Sequence, residues 1–211
     1  MRTIALFGGT GKTGRLFLKK AILSGHKVRA LARDPAKVSF SHPNLTIIQG
    51  DVLDQASVNQ TLEGAALVFS LFGHVKGSPA DLQTKGTKHI LLAMENNHVN
   101  RIISLSGGGL PFPEKDQPKL PDKIIRWVMK IAVPKILNDA IAHAEVLRNS
   151  NTKWTIVRGP RLTDEAEKGT YRVGWVGVNA STKIGRADLA GFLLTLVEEE
   201  KFVHQMPFVS Y

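Results

Sequence analysis

There is no cysteine in this sequence, which removes a disulfide framework and a thiol nucleophile together. The seven histidines show no paired metal-ligand spacing, and H-E-x-x-H is absent. No structural or catalytic metal is expected. Neither a signal peptide nor a twenty-residue apolar span can be found, so the sequence reads as a soluble cytoplasmic protein without a membrane partner. Acidic residues are in deficit, 18 against 28 lysines and arginines, for a formal charge of +10. The basic residues are spread along the chain, and no basic run is interleaved with aromatics, so no nucleic-acid partner is expected. An anionic cofactor and an anionic substrate would profit from the same field, and a plain solvated surface would also account for it. At 211 residues the chain is long enough for a sizeable core and short for two, so one domain is expected over 1–211. Any substrate pocket must then be made from loops.

What is present is concentrated first in Arg2 to Gly14, RTIALFGGTGKTG. Ile4 to Phe7 is too short an apolar run for a helix and suits a buried parallel strand. It stops at a glycine cluster. Gly8, Gly11 and Gly14 read G-x-x-G-x-x-G, while Gly9, Gly11 and Gly14 read G-x-G-x-x-G. Either pattern meets one requirement: a tight turn, close approach of backbone to a pyrophosphate, and a helix seated close on the sheet. The ATPase P-loop, suggested by GTGKT, fails because Leu6 stands where its first glycine is needed.

Beyond Gly14 an amphipathic helix runs toward a cap at Gly25, and His26 to Ala32 is the second strand. Where NAD-binding folds place an acid at that strand's end, this chain has Leu31, Ala32 and then Arg33. A guanidinium there suits a 2′-phosphate, so NADPH is favoured over NADH. Asp34 and Pro35 read as an N-cap and first helical residue, with Lys37 as a second phosphate contact. Leu45 to Ile48, Ala66 to Leu71 and Arg101 to Leu105 are the next strands. Asp51 and Val52 follow the first of these, on the adenine side, and Phe72-Gly73-His74 would pass under the cofactor. Pro79 to Asn97 and Ile136 to Asn149 are helical, Lys153 to Val157 is a strand, and Arg158 to Thr163 is a loop. Gly169 to Val178 suggests a hairpin, Arg186 to Glu199 a helix, and Pro207 to Ser210 a last edge strand. The alternation predicts an α/β fold with a doubly wound parallel sheet and a small C-terminal elaboration on the substrate side. The substrate-side loops are placed at about residues 74–80, 107–135 and 159–180. The middle one holds a proline-rich stretch and a basic amphipathic piece, Lys123 to Val133, readable as a lid, a partner contact or a helix packed on the sheet.

ALFGGTGKTG, LARDPAKV, GDVLD, HAEVLRNSNTKWTIVRGPRLTD and KIGRADLAGFLL, in this order, resemble the atypical short-chain dehydrogenases/reductases. Within that group of Rossmann proteins the chain is most similar to the flavin reductase and biliverdin reductase B branch, with the NmrA-like regulators as neighbours. The resemblance implies a stretch flanking the nicotinamide, matched by Gly159, Pro160 and Leu162. It also implies an acceptor-site serine, matched by Gly107 or, one place earlier, Ser106. The branch's histidine on the next long helix aligns with Ala140. The group's Tyr-x-x-x-Lys pair falls on Leu137 and Ile141. Neither Tyr171 nor Tyr211 is followed four residues later by lysine.

The cofactor set is therefore Gly8, Thr10, Gly11, Lys12, Thr13, Gly14, Arg33, Lys37, Asp51, Val52, Leu71, Phe72, Gly73, Ser106, Gly159, Pro160 and Leu162. Ser106 is the candidate catalytic donor, and His74, Gly107 and Trp127 are candidates for the substrate side; His143 reads as a packing histidine. A carbonyl substrate would need a proton inside the pocket, whereas a conjugated ring system can spread the charge and take its proton from solvent. The expectation is an NADPH-dependent reductase of a planar acceptor, free flavin as substrate, or a bilin or quinone. The competing reading is a non-catalytic NADP(H)-binding regulator. A monomer is favoured.

Overall fold

The computed structural model describes residues 1–211. Strands and helices alternate through β1 (Thr3–Phe7), α1 (Lys12–Leu23), β2 (Lys27–Ala32), β3 (Leu45–Gln49), α2 (Gln55–Leu62), β4 (Leu67–Ser70), α3 (Leu82–Asn96) and β5 (Arg101–Gly107). Two consecutive helices, α4 (Leu120–Ala132) and α5 (Pro134–Arg148), precede β6 (Lys153–Gly159). The C-terminal part holds β7 (Arg161–Thr163), β8 (Arg172–Gly174), β9 (Lys183–Gly185), α6 (Arg186–Glu198) and β10 (Phe208–Ser210).

The main sheet has the order β3-β2-β1-β4-β5-β6-β10-β8. Every neighbouring pair is parallel except β10 with β8. Strand β1 reads as an unbroken apolar run because both of its faces are covered. Ile4 and Leu6 join a cluster with residues of α1 and α6, while Ala5 and Phe7 join residues of α2, α3 and α5 on the other side. The chain winds outward from β1 through β2 and β3, then returns to β4 and winds the opposite way. That reversal between β1 and β4 leaves a crevice at the carboxyl ends of the strands, where such sheets bind ligands.

Local chemistry explains the element ends. Asp34 caps a short 3-10 turn over Pro35–Lys37, its side chain accepting from the Ala36 N–H at 3.1 Å. Asp54 does the same for α2, accepting from the Ser57 N–H at 3.0 Å. Gly25 ends the first helix at φ +84°, a left-handed conformation suited to glycine.

Three C-terminal expectations are corrected. The strand near Pro207 to Ser210 is interior, with β6 on one side and β8 on the other. The stretch Gly169 to Val178 is not a self-contained hairpin: β8 pairs with β10, and only a tight turn links Trp175 to Val178. Strands of three residues carry too little periodicity to assign from sequence. Arg158 and Gly159 belong to β6 rather than to a loop, and Arg161–Thr163 pairs with β9.

Arg158 can occupy a buried strand because its charge is fully answered. It is 0% exposed, and its guanidinium makes two 2.8 Å contacts with Asp116 and two 2.9 Å bonds to the carbonyls of Met206 and Leu110. Asp116 also accepts from the N–H groups of Phe112 and Val176. This buried fork ties the proline-rich segment to the end of β6.

Candidate functional site

The turn after β1 is shaped by three glycines. Gly8 has φ +88°, and a Cβ there would lie 2.5 Å from the Phe72 backbone nitrogen. A Cβ on Gly14 would lie 2.0 Å from the Gly8 carbonyl oxygen, so α1 could not approach the strand. The Gly11 N–H donates to the Gly8 carbonyl at 3.0 Å. Gly9 would meet only a side chain, at 3.1 Å. Of the two overlapping patterns, G-x-x-G-x-x-G is the one the backbone uses. Helix α1 starts at Lys12 behind Gly11, an N-cap without a side chain, and has no acid in its first turn. Its first N–H groups and the positive end of its dipole are thus left for an anion.

A cleft of about 160 Å³ opens at this turn. Nine of the predicted cofactor residues line it: Gly8, Thr10, Gly11, Arg33, Asp51, Val52, Leu71, Phe72 and Gly73. Phe7, Leu31, Gly50, Val75 and Leu82 complete the wall. Arg33 stands exposed at the rim, 4.0 Å from Asp51, and Asp51 accepts from the Leu53 N–H at 2.9 Å. Gly86 of α3 lets Phe72 and Val52 approach, since a Cβ there would lie 2.8 Å from the Phe72 ring.

The remaining predicted residues fall elsewhere. Lys12 pairs with Asp164 at 2.9 Å on the surface, and Lys37 lies 3.8 Å from Asp34. Thr13 is buried in α1. Leu162 packs against the α1 and α6 side of the core. Gly107, Gly159, Pro160 and Trp127 line a second, larger cavity of about 550 Å³ at the carboxyl ends of β5 and β6. Its other wall is α4, which supplies Asp122, Arg126 and Met129, and Ser181, Thr182 and Phe208 close one end. Strands β4 and β5 are hydrogen-bonded neighbours, so the two cavities lie side by side along one edge of the sheet.

Ser106 sits in β5 just before Gly107, and it is 8% exposed. Its Oγ has no hydrogen-bond partner, the only buried side-chain polar atom left so, and Ser106 itself lines neither cavity, lying under Gly107 at the margin of the larger one. Such an atom costs about 1–3 kcal/mol unless something else satisfies it.

His74 requires a correction. Its Nε2 lies 2.7 Å from Asp139 Oδ2, and it lines neither cavity. Asp139 is buried on α5 and also accepts from the N–H groups of Gln83 and Thr84 and from the Thr84 hydroxyl. Burial alone would raise this carboxyl; the Thr84, Gln83 and His74 hydrogen bonds outweigh it and hold the group below its usual range. His74 is the clasp that fastens the loop after β4 to α5. His143 is likewise internal: its Nδ1 is 2.7 Å from Thr87 Oγ1, and its Nε2 is 3.0 Å from Ser104 Oγ. Burial pushes its pKa down to about 4. The Tyr211 hydroxyl donates to Asp188 at 2.7 Å, Tyr171 packs edge-on against Phe192, and neither lines either of these two cavities. Trp175 packs on Phe112 with ring centroids 5.7 Å apart.

The residues that sequence reasoning missed come from short or distant segments. Ser181, Thr182 and Phe208 carry no local motif. Arg126 and Met129 lie in the basic amphipathic piece, and only the placement of α4 over the glycines after β5 brings them to the cavity.

The strand order, the crevice at its reversal and the uncapped glycine turn define a dinucleotide-binding α/β protein of the Rossmann type. Residues 8–200 match the family described as NAD(P)H-binding. The chain belongs to that family, and its fold is that of short-chain dehydrogenases/reductases. One solved structure with this fold, a wide-type short-chain dehydrogenase/reductase from Veillonella parvula in complex with NADP, superposes with a TM-score of 0.77 at 19% identity, covering 100% of this chain and 94% of that one. Another is ChuY, an anaerobilin reductase from Escherichia coli O157:H7, with a TM-score of 0.76 at 18% identity and coverage of 99% and 96%. Among curated relatives, an isoflavone reductase homolog from Zea mays is 37% identical over 82 residues, which is 35% of this chain and 26% of that protein. The match thus spans about a quarter of that relative's length.

Proposed function

We propose that this protein is an NADPH-dependent reductase that passes hydride directly to a planar conjugated acceptor, free flavin first, with a bilin or quinone as related substrates. The observation that carries the reading is the adjacency of two sites. A glycine-turn cleft at the carboxyl ends of β1 and β4 and a roomier cavity at those of β5 and β6 open along the same end of one sheet, and no tyrosine lines either. The ChuY structure, described as an anaerobilin reductase, supports a bilin-like acceptor.

The chain's part is binding and placement. The glycine turn and the free end of α1 hold the pyrophosphate. Arg33, exposed at the rim, takes the 2′-phosphate. Asp51 and Val52 receive the adenine, and Phe72 and Gly73 carry the nucleotide toward β5. Bound there, reduced nicotinamide supplies two electrons as hydride. Gly107, Gly159 and Pro160 leave a floor without bulky side chains, so a flat acceptor can approach to roughly 3 to 3.5 Å. Ser106 Oγ, lacking any internal partner, offers its hydrogen bond to the carboxamide or to the acceptor. The acceptor's rings spread the incoming charge and solvent returns the proton.

Steady-state oxidation of NADPH with FMN, riboflavin and biliverdin tests the proposal. Turnover with at least one, and much less with NADH, is the expected result. Tight NADPH binding with negligible turnover on all three would instead favour the regulator reading.

A further inference from the structure

Helix α4 is turned the wrong way round for a surface helix. Leu120, Ile124, Trp127 and Ile131 recur at i, i+4, i+7 and i+11 and make one apolar stripe, which Val128 widens. All five are between 48% and 71% exposed, and the helix contributes no buried residue. The half-buried residues are Asp122, Arg126 and Met129, on the opposite side, and they face the larger cavity. An ordinary helix of this composition would bury the stripe and hydrate the cations. Here Leu120, Ile124, Val128 and Ile131 look away from the protein over about 20 Å of helix, and Trp127 stands at the margin of the stripe, where it also borders the larger cavity.

The charges around the stripe say what covers it. Besides the cavity-facing Arg126, residues 119 to 135 hold four cations, Lys119, Lys123, Lys130 and Lys135, and one acid, Asp122. That acid is occupied at the start of the helix, accepting from the Lys119 N–H at 2.9 Å. A second copy of the chain would set this cationic rim against itself, with +10 on each molecule, so self-pairing is opposed. An anionic bilayer surface is complementary on both counts: its acyl boundary takes the stripe, Trp127 suits the interfacial layer, and the lysines reach the headgroups. No helix of this chain is long and apolar enough to cross a membrane, and none is needed for a helix lying in the interface.

We infer that α4 docks this protein peripherally on anionic lipid membranes, contrary to the expectation of no membrane partner. The inference does not depend on the acceptor or on turnover. The test is co-sedimentation of the full chain with vesicles of phosphatidylglycerol and phosphatidylcholine in equal parts, with pure phosphatidylcholine as control, alongside the Ile124→Glu/Ile131→Glu variant. Both substituted positions are exposed and lie off the cavity, so circular dichroism and NADPH binding should be unchanged. The expected result is binding to the anionic vesicles only, weakened by salt and lost in the variant. A protein that stays in the supernatant overturns the inference, as does a variant that binds like wild type, which would reduce the effect to diffuse charge. A dimer in light scattering that the variant abolishes, with no vesicle binding, would assign the stripe to a second copy instead.

Discussion

At the scale of single residues, a site residue is separated from a structural one by whether its polar atoms are already used. Ser106 is the open case, since its hydroxyl is buried and unpartnered. Replacing it with alanine removes an unsatisfied group, so stability in urea should stay within about 0.5 kcal/mol of wild type or rise slightly. Acceptor turnover should nonetheless fall, and a variant both destabilised and fully active would show that the hydroxyl serves the fold. His74 is the opposite case: four residues beyond the end of β4, on the loop where a ligand residue is expected, it is already consumed by Asp139. Sequence reasoning placed it near the substrate because nothing in the local pattern announces a partner 65 residues away. The glycines were legible for the converse reason. Their requirement is steric and local, and the 2.0 Å approach at Gly14 is what the motif encodes.

At the scale of elements, the buried fork between Arg158 and Asp116 decides how the proline-rich segment and β6 meet. Asp116→Ala would leave a fully buried guanidinium unpaired, and urea denaturation should show a loss of about 3–5 kcal/mol. The double variant Arg158→Met/Asp116→Leu should recover much of that loss, because it removes the charge as well as its partner; failure to recover would mean the carbonyl bonds from Arg158 dominate. The contact between α3, α5 and β5 has its own signature in pH. His143 is neutral in the fold, with a pKa of about 4 against an ordinary 6.5, so as acidity increases the unfolded chain takes up a proton first. Its stabilisation is complete above pH 6.5 and declines as pH falls toward 4, by on the order of 3 kcal/mol. Asp139, held below the usual carboxylate range, adds a further loss at lower pH. Thermal melts of wild type and His143→Gln through that window should differ in slope, the variant being flatter. Equal slopes would place the acid sensitivity elsewhere. In sequence His143 reads as a packing histidine but its partners Thr87 and Ser104 do not show, and Arg158 ends an apolar run and reads as the first residue of a loop.

At the scale of the whole molecule, the β-α alternation and the doubly wound sheet were legible because short apolar strand cores and amphipathic helices repeat their signals along the chain. The region after β6 was less so. Its strands have three residues each, and their pairing with one another and with β6 is decided by tertiary contact. The same division holds for the two cavities: the cleft at the glycine turn is lined by contiguous motifs and gathers nine predicted residues, whereas the larger cavity is assembled from α4, the β5 and β6 ends and the C-terminal strand. The central claim rests on the cleft, which is the better encoded. Isothermal titration of NADPH and NADH into the wild-type chain and Arg33→Ala tests it most directly. The account predicts one saturable site that prefers NADPH, and loss of about 1.5–3 kcal/mol for NADPH alone in the variant, roughly ten- to a hundredfold in affinity. Equal losses for both nucleotides would contradict the role of Arg33, and an absence of binding by either would contradict the site itself.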